Sequence, residues 1–327
     1  MGKEEQLRWE RRWAPWAAAA AVAAALLPIA ATIYASSLLG TLPNNREDLF
    51  LEKVHTHAGG YIASGVITAI GTFLVAPVLY YLYRVTLARR PIIPRIALIL
   101  ALAAPFVAGG VGVARQVVIG HTADQFVSQP QPPTTAAQKN ALANAKTAKD
   151  RQKALDDLGD LGRAKNRLQS GSVATVAYIG LIANLLLGTA FVLISMHAMR
   201  AGLLSRFMGI LGVIVGALTA IPLLGGAPVV QLFWLVAMAA LVLDRWPQGR
   251  GPAWAAVEEV PWPTAQQRRD ELGGGPPARG RGGRQAAPEP DDDADEPAQQ
   301  HTREAVRPRP SAATHARSKK RKRKRRG

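Results

Sequence analysis

The chain has 327 residues, 48% of them hydrophobic, yet it carries a formal net charge of +17 and no cysteine. The missing thiols exclude disulfides, thiolate metal centres and cysteine nucleophiles. Of the 40 Lys and Arg residues, 19 lie after residue 244 and the rest fall almost wholly between long apolar runs, so lipid-compatible and water-compatible segments are separated along the chain.

The first apolar run covers residues 17–39. A basic start followed by an Ala-rich stretch also describes a signal peptide. This stretch is too long for an ordinary signal core, and no small-x-small cleavage site followed by a soluble domain comes after it, so an uncleaved span is expected. Further runs occupy residues 58–83, 92–114, 173–199, 207–224 and 229–243. A helix needs roughly 20 residues to cross a hydrocarbon core about 30 Å thick. Four runs exceed that length. The last two are shorter, and with only residues 225–228 between them they read as a tight helical hairpin. All six are apolar around their whole circumference, unlike the one-sided pattern of a soluble surface helix. The expected fold is therefore all-α, a polytopic transmembrane bundle of about six spans over residues 1–246, followed by a disordered tail over 247–327.

Short-loop Lys and Arg set the expected orientation. Lys3, Arg8, Arg11 and Arg12 precede the first span, Arg84, Arg89, Arg90 and Arg95 follow the second, Arg200 and Arg206 follow the fourth, and Arg245 and Arg250 follow the last. Of the opposite loops, the first carries Arg46 and Lys53 and the fifth none; the third holds eight, but it is about 50 residues long, and long segments translocate largely regardless of charge. This pattern places both termini in the cytoplasm of a multi-pass cell-membrane protein. Trp13, Trp16, Tyr80, Tyr81, Tyr83 and Trp246 then fall at the inner interface, where amphipathic rings are favoured. The loop over residues 120–171 faces outward. Past its Pro-rich start, Thr134 or Thr135 would cap a helix running to about Leu168, with Gly159 and Gly162 breaking or kinking it. Leu142, Ala145, Ala148, Leu155, Leu158 and Leu161 give that helix a narrow apolar stripe, suited to a partner or lid helix or to a hairpin resting on the membrane surface.

Few features carry chemistry. The span centres hold no ionisable residue. Arg115 and His197 lie near span ends, and Asn184 is the one strongly polar side chain at mid-depth, in the row Gly180, Asn184, Gly188. Such a pattern opposes a carboxylate proton relay and fits interhelical packing. Small residues at four-residue steps recur as Ala104, Ala108, Gly112 and as Gly212, Gly216, Ala220. The second row offers a face for a homo-oligomer. Pro28, Pro77, Pro105 and Pro222 are positioned to kink their spans.

On the outer face, Asn44 or Asn45 would cap a helix continuing into the second span. There Asp48, Glu52 and His55 share a face, Glu52 and His55 forming an E-x-x-H pair of the kind used in helical metal sites. With His57, His121 and Asp124 nearby, four to six N/O ligands would converge on zinc or another divalent ion. A second E-x-x-H and an H-E-x-x-H are both missing, so no resident cofactor is assigned. Phosphate-loop, nucleophile-elbow and dinucleotide motifs are likewise missing from the sequence.

The last feature is the run Lys319, Lys320, Arg321, Lys322, Arg323, Lys324, Arg325, Arg326. Eight consecutive bases bind anionic headgroups, or RNA and ribosomes through counterion release. The run holds no aromatic residue for base stacking.

The segment reading MRAGLLSRFMGILGVIVGAL … QLFWLVAMAALVLDRW, within residues 199–246, resembles the C-terminal helices of uncharacterised multi-pass membrane proteins of high-GC actinobacteria. Basic tails like SKKRKRKRRG occur among such proteins, membrane-protein insertases included. The charged intramembrane groove of insertases has no counterpart here, and the resemblance implies no activity. Three readings stand: a non-enzymatic membrane scaffold or interaction protein, a small-solute transporter or channel with an uncharged pathway, and a metal-dependent membrane enzyme or sensor using the outer His/acid cluster.

Overall fold

A computed structural model of the chain describes residues 2–43, 46–129, 136–147, 150, 151, 154, 159–221, 227–247, 249–260 and 262. The chain divides into two compact units, Met1–Leu272 and Gly273–Gly327, and every described residue belongs to the first. The basic run from Lys319 to Arg326, and most of the expected tail, lie outside the described residues.

The described residues form an all-helical bundle without strands. Helix α1 spans Lys3–Leu39, with Glu4 and Glu5 in its first turn, where the macrodipole favours negative charge. It stops at Gly40, whose positive φ of 67° permits a turn and whose N–H bonds the carbonyl of Ser36. Helix α2 covers Glu47–Thr56 and α3 covers Ala58–Phe73. The break at His57 replaces the uninterrupted helix expected there, and Arg46, rather than an asparagine, stands at the N-cap without a capping side chain. Asn44 and Asn45 lie outside the described residues.

Helix α4, Val75–Arg89, prolongs α3 after the single non-helical residue Leu74, and together they form one apolar run over Ala58–Arg89. Helix α5 runs over Arg95–Ser128, starting just after Pro94, and α6 over Ala136–Ala143. Helices α7 and α8 cover Asp160–Gln169 and Gly171–Arg200. Helix α9 spans Arg206–Ala220, where the Ser205 hydroxyl accepts the Met208 N–H at 3.3 Å. Helix α10 spans Ala227–Val242, and a single turn, α11, spans Ala253–Ala256.

The outer loop is not one long helix to Leu168. Helix α6 ends at Ala143, because Thr147 draws the chain into a new start: its hydroxyl accepts from the Asp150 N–H at 3.0 Å and donates to the Asp150 carboxylate at 2.7 Å. Of the expected stripe, Ala148, Leu155 and Leu158 lie outside the described residues.

Four stretches, Lys3–Leu39, Ala58–Arg89, Arg95–Ser128 and Gly171–Arg200, are long and apolar enough to cross a membrane. Their surroundings support that role. Ile33, Ile99, Phe106, Tyr178, Ile182 and Leu185 all project outward and exposed. In water such a belt would be an aggregation surface, whereas against lipid tails it costs nothing. The bundle interior is lined instead by small side chains, with Ala17, Ala18, Ala21, Ala24 and Ala25 of α1 buried together with Ala97, Ala101 and Ala104 of α5. Close backbone approach through small residues is the usual packing mode where hydrophobicity cannot drive association.

The row Gly212, Gly216, Ala220 packs within the chain. A Cβ on Gly188 of α8 would fall on the carbonyl oxygen of Gly216 and 3.0 Å from the Ala220 Cβ, and one on Gly212 would fall on the Ser195 hydroxyl. The face expected to meet a second copy is covered by α8.

Candidate functional site

The two ends of the bundle carry its polar chemistry. The distal end is formed by α2, α7, the start of α3 and α8 and the end of α5, around Leu51, Val54, Ile119, Ala123, Phe126 and Ala164. The six residues expected to converge on a metal all belong to this end, but they separate into small local pairings. Asp48 is engaged by Arg46, whose guanidinium donates to its carboxylate at 2.9 and 2.7 Å. That hydrogen bond holds the Asp48 carboxyl below the usual carboxylate range, against the opposing effect of its partial burial.

His55 Nδ1 lies 2.7 Å from Asp124 Oδ1, so one expected cross-helix pair does form. His121 faces Gln125 on its own helix at 2.9 Å, and His57 faces the Lys53 carbonyl at 3.2 Å. Glu52 and His55 border a shallow cleft of about 280 Å³ shared with Asp160 and Arg163. Among the described residues no group of three or more His, Asp or Glu is arranged to hold a metal ion. Common helix faces align residues around an axis, but of these six residues the described hydrogen bonds join only His55 and Asp124 across α2 and α5.

The basal end was not anticipated. Here the start of α1, the end of α4, the turn after α8 and the end of α10 meet residues 249–262. Glu10 and Arg89 form a buried pair, with guanidinium-to-carboxylate distances of 2.5 and 3.0 Å and side chains 6% and 0% exposed. Every remaining donor direction of Arg89 is used. Its Nε donates to the Ala253 carbonyl at 2.7 Å, Nη2 to the Trp254 carbonyl at 3.0 Å and Nη1 to the Val85 carbonyl at 3.0 Å. Gln6 donates to Glu10 at 2.9 Å, and the Tyr81 hydroxyl donates to the Glu10 carbonyl at 3.3 Å. A buried ion pair is tolerated when its other hydrogen-bonding capacity is met in this way.

Trp254 closes the arrangement. Its indole N–H donates to the Leu203 carbonyl at 2.9 Å, and its ring stacks on Tyr81 at 6.5 Å, which in turn stacks on Trp9 at 5.7 Å. The guanidinium groups of Arg89 and Arg250 lie 5.8 and 5.2 Å from the Trp254 ring. Arg90 pairs with Glu259 at 2.5 Å. Gly202, at φ 79°, lets the chain turn beneath Val260, whose carbonyl occupies the space a side chain would need.

The described contacts of the bundle therefore extend past residue 246, where composition placed the start of the tail. The segment over 249–260 forms a strap across the basal end, with Ala253 and Trp254 buried. Glu10, Arg89 and Trp254 were missed because none stands in a motif. The available signals were Gln6 and Glu10 one helical turn apart, and Trp254 and Trp262 inside an otherwise Pro-, Gly- and Arg-rich stretch. Comparison of the chain with protein-family models, curated proteins and solved structures gives no match.

Proposed function

We propose that this protein is a non-enzymatic, six-span membrane anchor with both termini in the cytoplasm. In this reading the bundle fixes the root of a disordered basic tail at the inner membrane surface, where Lys319 to Arg326 engage anionic lipid headgroups. The observation that supports it is the strap. Residues 249–260 are held to the bundle end by the Arg89 hydrogen bonds and by the seated Trp254. A tail that leaves from a fixed point has a defined reach. Between Trp262 and Lys319 lie 57 residue steps, a root-mean-square extension of about 40 Å for a flexible chain. The bases would thus stay close to the leaflet, each contributing about 1 kcal/mol near an anionic surface.

Six spans require α9 and α10 to cross. Their 15 and 16 residues reach about 22–24 Å, short of a full hydrocarbon core and compatible with local thinning around a short hairpin. Lys/Arg placement favours the orientation, since Arg8, Arg11, Arg12, Arg84, Arg90, Arg95, Arg200 and Arg206 flank the spans on the basal side. Reporter fusions at Asn140 and Gly249 are expected to give opposite signals, outside and inside respectively. An inside signal at Asn140 would remove this topology.

Tail binding is tested separately. Protein reconstituted in nanodiscs of neutral lipid is expected to capture free phosphatidylglycerol vesicles at low salt. A chain ending at Ser318 should capture them at least ~100-fold less well, because eight bases are lost. Capture should also fall steeply as salt rises. Equal capture by the two proteins would rule out the basic run as the lipid contact.

A further inference from the structure

Between α5 and α8, on the distal half of the bundle, a cleft of about 630 Å³ opens sideways onto the lipid-facing surface. Its walls are small: Ala108 and Gly112 on one helix, Ala177 and Gly180 on the other. A Cβ on Gly112 would meet nothing within 4 Å, so the space exists because side chains are missing from that wall. The polar groups are few and sit at separate levels. Asn184 lines the deeper part, Arg115 lies higher, and Gln169 borders the top.

Arg115 makes no hydrogen bond or ion pair with any described residue, unlike Arg89, Arg46, Arg163 and Arg167, all of which are engaged. Its height follows from helix geometry. Arg115 lies 20 residues beyond Arg95, the first residue of α5, a rise of about 30 Å and the thickness of the hydrocarbon core. An unpaired guanidinium is thus set where lipid phosphates lie, at the head of a narrow apolar slot descending toward mid-membrane. Tyr178, exposed on the rim of the same cleft, stands at the level where interfacial aromatics are favoured. The volume falls within the ordinary range for small-molecule sites.

We infer that this cleft is a binding site for an anionic phospholipid, with the phosphate on Arg115 and an acyl chain lying along Gly112, Ala177 and Gly180. Net charge selects the headgroup: a guanidinium forms paired charge-assisted hydrogen bonds to the phosphate of any phospholipid, but a cationic group carried on the same headgroup repels it. The apolar slot beneath selects a lipid over a free phosphate. The inference requires only that α5 and α8 cross a bilayer, and it is independent of the tail and of the number of spans.

The test uses full-length protein in nanodiscs doped with phosphatidylglycerol or phosphatidylcholine bearing a photoactivatable group on the acyl chain, with crosslinks mapped by mass spectrometry. Phosphatidylglycerol is expected to label the segments around residues 108–115 and 174–184 roughly tenfold more than phosphatidylcholine, whose choline cation repels the guanidinium. Arg115→Gln should bring the two lipids to equal labelling, while Arg115→Lys should keep a preference. Gly112→Trp should remove labelling of the slot by both lipids. Because the exposed Arg115 side chain makes no hydrogen bond or ion pair among the described residues and only an electrostatic contact with Tyr61, its substitution is expected to leave the fold intact and decides the matter even where the tryptophan variant fails to assemble. Equal labelling by both lipids in the unaltered protein, or labelling spread evenly over exposed positions such as Ile99 and Phe106, would overturn the site. Loss of phosphatidylglycerol labelling to millimolar inorganic phosphate would overturn its assignment to a lipid.

Discussion

Arg89→Met is expected to destabilise the protein by about 3–5 kcal/mol, the usual effect of removing one member of a buried ion pair. Glu10 then remains 6% exposed without its cation, and the carbonyls of Ala253 and Trp254 lose their donors. Unfolding in mixed micelles by increasing fractions of denaturing detergent would measure the loss. The double variant Glu10→Leu, Arg89→Met should be less damaged than the single one, since the uncompensated charge is gone, and the difference reports the coupling. Arg89→Lys should not rescue, because an ammonium cannot span a carboxylate and two backbone carbonyls at once. Alongside the stability change, proteolysis at Trp254 should accelerate as the strap loosens. A stability change within about 0.5 kcal/mol, the range of an ordinary surface substitution, would mean the pair holds nothing together.

Gly188→Leu should produce the next largest effect, about 1–3 kcal/mol for overpacking and toward the upper end here. The obstacle on the facing helix is the Gly216 carbonyl, part of the backbone and unable to rotate aside as a side chain would. Helix α9 would have to move as a body, carrying with it the Met208 carbonyl that accepts the Trp234 indole N–H at 3.2 Å. Trp234 is fully buried and meets Phe191 edge-on at 5.4 Å, so the displacement would spread into the core. Gly112→Leu is the matching control. It makes the same change in a row where an added Cβ meets nothing within 4 Å and should unfold much like the unaltered protein. If Gly188→Leu and Gly112→Leu unfold alike, the contact between α8 and α9 is not as close as described.

The parts of this fold that were legible in the sequence are those on which lipid imposes a one-dimensional rule. Continuous apolar runs mark helices able to span, and the runs starting near residues 58, 92 and 173 match long helices closely. What the rule omits is how far helices extend beyond the bilayer. Helix α1 begins at Lys3, and its 37 residues make about ten turns at 3.6 residues per turn, far more than the span requires; that overhang places Glu10 at the basal end. Glycine rows were legible as packing surfaces, but spacing along one helix says nothing of which helix answers it. Gly212 and Gly216 suited a second copy as well as they suit α8. The His/acid cluster failed for a related reason. A shared helix face fixes an angle, whereas ligands must also meet across helices, and of the six the described hydrogen bonds join only His55 and Asp124 in that way. The strap was hidden by composition, because two tryptophans do not offset a Pro- and Gly-rich average in any window long enough to be informative.

The strap also imposes an order in time. Glu10 is made before Arg89, and the carbonyls that complete the hydrogen bonding of Arg89 belong to residues 164 and 165 positions later still. At synthesis rates of about 5–20 residues per second, that interval lasts roughly 10–30 seconds. Throughout it, the basal end stays open, with part of the guanidinium's hydrogen-bonding capacity turned toward water. Helix α10 must be made before Trp254 can be seated. A chain interrupted before residue 253 would lack both carbonyls that complete the hydrogen bonding of that single arginine.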